Sequence, residues 1–168
     1  RRQRQMCIRD RDNMRIPILC KDFFIDIYQV HLAKYYGADA ILIILAGVSE
    51  RRANELYEEA LKLDMSILVE VHTVEEAKKA LSFKNAIIGI NNRNLKTLKT
   101  DIKITYDLHK ILIGHPGPIV CESGIKTEKE VEDVVKKTKI NNFLIGESLL
   151  KDLDKNSSLL KRIVQINA

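Results

Sequence analysis

Short runs of branched apolar residues alternate along this chain with longer stretches in which apolar residues recur at helical spacing. The runs predict buried strands at 16–20, 39–45, 66–71, 86–90, 118–121 and 142–146. The stretches between them predict helices at 27–36, 50–63, 74–81, 101–111 and 128–137, followed by a helical turn at 147–152 and a terminal helix from Ser157 or Ser158. Strict alternation of strand and helix predicts one α/β domain over residues 16–168.

Residues with known capping preferences lie at the predicted helix ends. Gly37 follows the first helix, where a left-handed residue is favoured, and Ser49 precedes the second. The spacing of a capping box, a hydroxyl followed three residues later by a carboxylate, occurs for Thr73 with Glu76 and for Thr127 with Glu130. These signals support the predicted helix boundaries.

The predicted strands are apolar on both faces, which is typical of a parallel sheet covered by helices. Two architectures satisfy that pattern, the doubly wound open sheet and the (β/α)₈ barrel. No glycine-rich dinucleotide fingerprint follows the first strand. Polar residues instead follow several different strands, which is how barrels build their active sites, so the pattern favours a barrel.

The polar residues at the carboxyl ends of the strands are the candidate site. They are Lys21, Glu70, Asn91, Asn92, Arg93, Glu122, Ser123, Gly146 and Glu147. A buried lysine or glutamate without a partner is costly, so such residues are expected to be paired, hydrated or functional. If alternate strands share a layer, Lys21, Glu70 and Glu122 meet at one mouth, and each shifts the proton affinity of the others.

Most of the net positive charge lies in the first fifteen residues. The formal charge is +5, and residues 1–15 hold six arginines and two aspartates, which leaves +1 for the rest. We expect residues 1–15 to be a disordered or non-native basic tail, since the string MCIRDR resembles a translated sequencing adapter. A basic arm that binds RNA is the alternative, but the prediction for the domain is no nucleic-acid partner.

The cysteines and the lengths of the apolar runs indicate which broad classes of protein are disfavoured. The three cysteines form neither a CxxC pair nor an even framework, which favours a reducing cytoplasm over a disulfide scaffold or a metal site. No apolar run approaches the roughly 18 to 20 residues of a membrane span. We therefore expect no membrane association, no metal and no organic cofactor.

Five segments resemble the indole-3-glycerol-phosphate synthase family of tryptophan biosynthesis in order and spacing. They are PILCKDFFIDIYQV, ILVEVHTVEEAKKAL, IIGINNRNLKTLKTD, PIVCESGI and FLIGESLLK. The resemblance runs from about Ile16 to Asp152 and implies strands three to eight of a (β/α)₈ barrel. The barrel is then an incomplete one of about six β/α units, and strands one and two are absent.

The resemblance also implies a reaction. The family closes the ring of 1-(2-carboxyphenylamino)-1-deoxyribulose 5-phosphate, with loss of carbon dioxide and water. Lys21 then matches the general acid, provided that burial tunes its pKa towards neutrality. Glu70 matches the proton shuttle, and Asn91 matches an asparagine that orients this network and the substrate. A purely structural ion pair of Glu70 with Lys21 is the alternative.

Substrate-binding residues follow from the same resemblance. Phe23 matches a residue that lines the aromatic pocket, although core packing is equally compatible with the sequence. Arg93 is suited to a carboxylate, and Glu122 with Ser123 match the strand-seven pair. Phosphate is expected at three residues after strands seven and eight, where backbone amides rather than the glutamate side chain face the anion: Gly124, Gly146 and Glu147.

The first two family strands carry a second catalytic lysine and part of the phosphate site, and neither is in this sequence. We therefore expect this polypeptide to be inactive or severely impaired alone. Its expected partners are a small-molecule substrate and, further, another tryptophan-pathway domain or a separately encoded amino-terminal half. Two other functions stay open from the residues: a sugar-phosphate isomerase or epimerase barrel, and a non-catalytic binding module.

Overall fold

The computed structural model describes residues 15–150 and 157–166. It contains six strands: β1 (Leu19–Cys20), β2 (Ala40–Ile44), β3 (Ser66–Val71), β4 (Ile87–Asn91), β5 (Ile119–Glu122) and β6 (Asn142–Leu144). The helices are α1 (Ile27–Tyr35), α2 (Glu50–Lys62), α3 (Val74–Ala80), α4 (Lys103–Leu112), α5 (Glu128–Thr138), α6 (Glu147–Leu150) and α7 (Ser157–Ile166), with a 3₁₀ turn at Leu45–Gly47. The predicted tail lies outside the described residues except for Arg15.

The strands form one parallel sheet in chain order, β1-β2-β3-β4-β5-β6. Each strand pairs with the next one along the chain, as Glu70 of β3 does with Gly89 of β4, and Asn91 of β4 with Glu122 of β5. A helix connects each strand to the next. In the described residues this is the topology of six consecutive β/α units of a (β/α)₈ barrel, which confirms the predicted incomplete barrel.

The sheet is curled, as the contact between its first and fifth strands requires. In a flat sheet, four strand spacings of about 4.8 Å would separate β1 from β5 by roughly 19 Å. Lys21, which directly follows β1, nevertheless reaches within 3.3 Å of the carboxylate of Glu122 on β5. The strand ends therefore surround a common mouth.

The two faces of the sheet bury different residues. Ile43, Val69 and Ile88 on the outer face join the main core beneath the helices, while Leu42 and Leu68 form a smaller apolar cluster on the inner face. The alternation along each strand produces this division, since successive side chains point to opposite faces. Within the described residues no helix is long and apolar enough to cross a membrane.

Most of the predicted caps are formed. Gly37 has a φ of +82°, Ser49 accepts a hydrogen bond from the amide of Arg52, and the Thr127 capping box is complete. The box predicted for Thr73 and Glu76 is only half formed. Thr73 accepts from the amide of Glu76, but the Glu76 carboxylate accepts from the amide of His72 at 2.7 Å instead of that of Thr73. The physical reason is His72 itself, whose ring also lies beside this carboxylate.

Candidate active site

The ammonium of Lys21 lies between two buried carboxylates. Its Nζ is 3.1 Å from Oε2 of Glu70 and 3.3 Å from Oε2 of Glu122. Both glutamate side chains are 1% exposed, whereas the lysine side chain is 42% exposed and opens onto the mouth. These contacts confirm that the three residues converge from alternate strands.

Strand register and one glycine make this convergence possible. Glu70 and Glu122 lie on the inner face near the carboxyl ends of β3 and β5, with β4 between them. Gly89 is the inward residue of β4 beside Glu70, and the Glu122 carboxylate occupies the space that a side chain there would fill. In the sequence, the only sign that Gly89 leaves space for Glu122 is its position inside a strand, where a glycine often marks a place that another group approaches closely.

Glu70 has two further polar neighbours. The amide of Asn91 donates to Oε1 of Glu70 at 2.9 Å, which places Asn91 in the cluster as predicted. His72 lies with Nε2 at 3.2 Å from the same oxygen and Nδ1 at 3.4 Å from Glu76. Neither ring nitrogen has the geometry of a directed hydrogen bond, but both lie at ion-pair distance from a carboxylate.

The two carboxylates differ strongly in proton affinity. Burial opposes ionisation of Glu70, but His72, Asn91 and Lys21 outweigh it and lower its pKa to about 2. Burial and the neighbouring charge of Glu70 raise the pKa of Glu122 to about 7, against the opposing effect of Lys21. Such a separation within one pair gives an ionised base and a carboxyl group that gains and loses its proton near neutral pH.

The condition attached to Lys21, a pKa tuned towards neutrality by burial, is not met. Burial does disfavour the charged form, but attraction to Glu122 and Glu70 outweighs that effect and raises the pKa above its ordinary value. Desolvation is the largest single effect on this pKa, but the lysine is partly exposed and its two acidic partners together exceed it. Lys21 therefore remains an ammonium over the physiological pH range.

A cavity of about 870 Å³ begins at Ser123, the residue that follows Glu122. The loops after β4, β5 and β6 line it, and its wall includes Arg93, Lys99, Thr100, Ser123, Gly124, Lys126, Gly146, Glu147 and Ser148. The three residues predicted to bind phosphate, Gly124, Gly146 and Glu147, therefore all line this cavity. Lys99 and Lys126 were not predicted as site residues, because nothing in the sequence distinguishes them from lysines on a solvated surface.

Arg93 and Glu147 contact each other across this cavity. Nη2 of Arg93 donates to Oε2 of Glu147 at 2.6 Å, and Nη1 donates to the carbonyl of Leu98 at 3.2 Å. The Glu147 carboxylate is therefore held by Arg93 at the wall where an anion is expected to bind. This arrangement places a negative charge beside the predicted phosphate position.

The residue predicted to line the aromatic pocket, Phe23, is exposed to solvent. It lies in the loop after β1 with 62% of its surface exposed, so it is not a core residue. Its backbone carbonyl accepts a hydrogen bond from Gln29, which fixes the loop at the start of α1. A role in binding an aromatic ring stays a prediction.

Comparisons with known proteins agree on one family. The family model described as indole-3-glycerol phosphate synthase matches residues 4–161. The tryptophan biosynthesis protein TrpCF of Buchnera aphidicola from Acyrthosiphon pisum is 48% identical over 134 residues, 80% of this chain and 29% of that protein. The indole-3-glycerol phosphate synthase of Burkholderia multivorans is 41% identical over 136 residues, 81% of this chain and 51% of that protein. The chain thus spans about a third to a half of the length of these relatives.

Solved structures support the fold. A mutant tryptophan synthase alpha-subunit from Pyrococcus furiosus aligns with a TM-score of 0.70 at 17% identity, covering 97% of this chain and 71% of that chain. The tryptophan synthase a2b2 complex of the same organism aligns with a TM-score of 0.68 at 15% identity, over the same shares. At such low identity the likeness concerns the barrel fold alone.

Proposed function

Because the chain belongs to the indole-3-glycerol phosphate synthase family, we propose that it provides six β/α units of a synthase that acts on 1-(2-carboxyphenylamino)-1-deoxyribulose 5-phosphate. The reaction joins an aromatic ring carbon to the ketone carbon, then releases carbon dioxide and water to give an indole. The observation that carries the proposal is the position of Lys21, between Glu70 and Glu122 at the mouth of the curled sheet.

Lys21 is proposed to act on the ketone oxygen. As the new carbon–carbon bond forms, the ketone becomes an alkoxide, and an ammonium held at that oxygen stabilises the charge and donates a proton. An alkoxide is a much stronger base than an amine, so this transfer does not require a lowered lysine pKa. The two carboxylates hold the ammonium on the side of the mouth where it is 42% exposed.

Glu70 is proposed as the base of the dehydration step. Carbon dioxide leaves its bonding electrons to the ring, so that step needs no base. The later loss of water requires removal of a proton from the ring intermediate, and Glu70 is ionised at neutral pH. Asn91 fixes its Oε1 atom, which aims the other oxygen at the mouth. Glu122 holds Lys21 and is available to hydrogen-bond to a substrate hydroxyl.

The neighbouring cavity is proposed to hold the two anionic ends of the substrate. Arg93 has the planar fork that binds a carboxylate with two hydrogen bonds. The phosphate is assigned to the backbone at Gly124, Gly146 and Glu147, with Lys99 and Lys126 supplying positive charge on the same wall. Ser123 contributes its hydroxyl at the same turn.

The proposal is tested with a fusion and with the chain itself. The chain is joined after an amino-terminal segment of the Burkholderia multivorans synthase that precedes the matched region, and indole formation is followed by fluorescence. The chain alone is titrated with a substrate analogue whose ketone is reduced to an alcohol, and binding is measured by calorimetry. We expect turnover by the fusion and binding by both proteins.

A matched pair of variants identifies the site. Lys21→Met in the fusion is expected to abolish turnover, whereas Lys62→Met, which removes a surface lysine on α2, is expected to leave it unchanged. Turnover that survives Lys21→Met, or a chain that does not bind the analogue, would contradict the proposal. The family match does not favour an isomerase, an epimerase or an RNA-binding module.

We further propose that the parent protein contains a second domain that acts in tryptophan biosynthesis. The TrpCF relatives are about three times as long as the matched segment, which is compatible with an additional tryptophan-pathway domain. A cytoplasmic location stays a prediction. It is checked by fractionating the source cells and locating the protein with an antibody.

A further inference from the structure

The side chain of Asn92 is completely buried and joins three parts of the fold. Its Nδ2 donates to the backbone carbonyls of Glu122 at 3.1 Å and Ser123 at 3.2 Å. Its Oδ1 accepts from both the amide and the hydroxyl of Thr105, at 3.1 and 2.8 Å. One amide therefore connects the end of β4 to the turn after β5 and to the first turn of α4.

The turn that Asn92 holds has an unusual backbone. Ser123 has a φ of +62° and is followed by Gly124 with a φ of +79°. A left-handed conformation is uncommon for a residue other than glycine, asparagine or aspartate, and it persists only where the surroundings enforce it. A Cβ on Gly124 would lie 3.5 Å from Cβ of Asn92, so the turn packs directly on this residue.

We infer that Asn92 is a positioning residue, whose amide holds Ser123 and Gly124 in the left-handed turn that forms the anion-binding wall of the cavity. This inference rests on the proposed function for the identity of the anion, a phosphate. The contacts of Asn92 with the turn are independent of that identity.

The orientation of the Asn92 amide follows from its partners. Since the amide of Thr105 can only donate, the atom facing it must be oxygen, and the nitrogen must face the carbonyls of Glu122 and Ser123. Aspartate has the same shape and would still accept from Thr105. It would, however, lack both N–H donors, so Asn92→Asp removes the donation to the two turn carbonyls and to the sulfur of Cys121 at 3.4 Å, and a proton taken up by the buried acid restores only one donor.

Hydrogen exchange provides a direct measurement of the turn. The amide of Ser123 donates to the carbonyl of Leu144 on β6 at 3.2 Å, so its exchange is slow only while the turn is in place. In the full chain, Asn92→Asp is expected to accelerate Ser123 exchange about tenfold or more relative to that of Ile88 in the core. Titration with inorganic phosphate, followed by amide shifts of Gly124 and Gly146, is expected to show affinity weakened by a similar factor.

Thr105→Val is the matched control. It removes one hydrogen bond to the same Oδ1 atom but leaves the nitrogen contacts of Asn92 with the turn intact. It is expected to lower global stability and to leave both the exchange ratio and the phosphate affinity within about twofold. Equal effects of the two variants on the exchange ratio would show a general packing role and overturn the inference.

A second measurement applies if Asn92→Asp does not fold. In the unaltered chain, the side-chain amide protons of Asn92 are expected to exchange as slowly as the backbone amide of Ser123. Exchange at the rate of a free amide would overturn the inference without any variant. If the unaltered chain shows no phosphate-dependent shifts, the proposed function fails, whereas the exchange ratio still decides the role of Asn92.

Discussion

A side chain at position 89 and the carboxylate of Glu122 would occupy the same space. A Cβ built on Gly89 overlaps Oε1 of Glu122 and also comes within 3.2 Å of Leu68. Because Glu122 is 1% exposed and is held by Lys21, it has little freedom to move aside. The glycine therefore decides where this carboxylate lies.

Gly89→Ala is expected to displace Glu122 and break its 3.3 Å contact with Lys21. The added methyl group cannot be accommodated without moving a buried acid, so we expect a loss of about 1–3 kcal/mol in the free energy of unfolding. In the fusion protein, turnover should fall at least about tenfold, which corresponds to about 1.4 kcal/mol. Urea unfolding and the fluorescence assay measure the two effects.

Gly114→Ala is the control for that change. A Cβ at this glycine meets no heavy atom within 4 Å, so the free energy of unfolding should change by less than about 0.5 kcal/mol. An equally small effect at position 89 would show that Glu122 relocates freely. Gly89 would then not be what fixes Glu122 beside Lys21.

Lys21→Met is expected to destabilise the chain even without substrate. The substitution leaves Glu70 and Glu122 facing each other without the cation between them. We expect a loss of about 1–3 kcal/mol in the free energy of unfolding at pH 7, below the value for a fully buried pair because Lys21 is partly exposed. Lys62→Met removes a surface contact of the same length to Glu59 and should cost less than about 0.5 kcal/mol.

A stability equal to or above that of the unaltered chain would contradict this expectation. Protonation of Glu122 is the route by which the variant could recover part of the loss. Repeating the urea measurement at pH 5 tests this route, because protonation relieves the repulsion between the two carboxyl groups and should reduce the difference between variant and parent.

The fold could be predicted from the sequence because its determinants are local. The runs that became β2, β3 and β4 are apolar on both faces, and such runs belong to parallel sheets. The same pattern predicted Glu70 and Glu122 at strand ends. Because alternate strands of a barrel contribute side chains to one layer, it also predicted that both glutamates lie near Lys21. The direction of the Lys21 pKa shift could not be predicted from the sequence, because it depends on two opposing effects whose sizes require distances.

Other features of the site had no sequence signal strong enough to assign them. Asn92 follows Asn91 directly, and a pair of asparagines is also ordinary turn chemistry. Only the structure shows that one faces the mouth and the other is buried against Thr105. The contact of Arg93 with Glu147 joins residues 54 positions apart, on loops whose conformations no periodicity describes.

His72 is expected to make stability depend on pH above neutrality. Burial alone would lower its pKa, but Glu70 and Glu76 raise it from 6.5 to about 9 in the folded chain. The folded state therefore keeps a proton that the unfolded state loses, so this contribution is complete below pH 6.5 and is lost as the pH rises to 9. Between pH 7 and 9 we expect the free energy of unfolding to fall by about 1–2 kcal/mol.

His72→Gln should remove most of that slope, which is measured by urea unfolding at several pH values between 7 and 9. The window starts at pH 7 because Glu122, with a pKa near 7, adds its own loss of stability between pH 4.5 and 7. Glu76→Gln should reduce the slope in part by removing one of the two acidic neighbours. Identical slopes in His72→Gln and the unaltered chain would contradict this assignment.

Glu147→Gln is expected to strengthen phosphate binding by the full chain. The Glu147 carboxylate repels an anion in the cavity and also occupies Arg93 at 2.6 Å. Neutralising it removes the repulsion and leaves the guanidinium available, so we expect about two- to tenfold tighter binding of inorganic phosphate at low ionic strength. The gain should shrink as salt is added, because both groups are partly exposed and screened.

The appropriate control for that variant changes the net charge without touching the cavity. Glu58→Gln alters an exposed position on α2 by the same single charge, and it should leave phosphate affinity unchanged within error. Calorimetric titrations at two salt concentrations separate a local effect from a global one. If Glu58→Gln and Glu147→Gln increase the affinity equally, the gain comes from net charge. If Glu147→Gln instead weakens binding, the contact with Arg93 is what keeps the phosphate wall in shape.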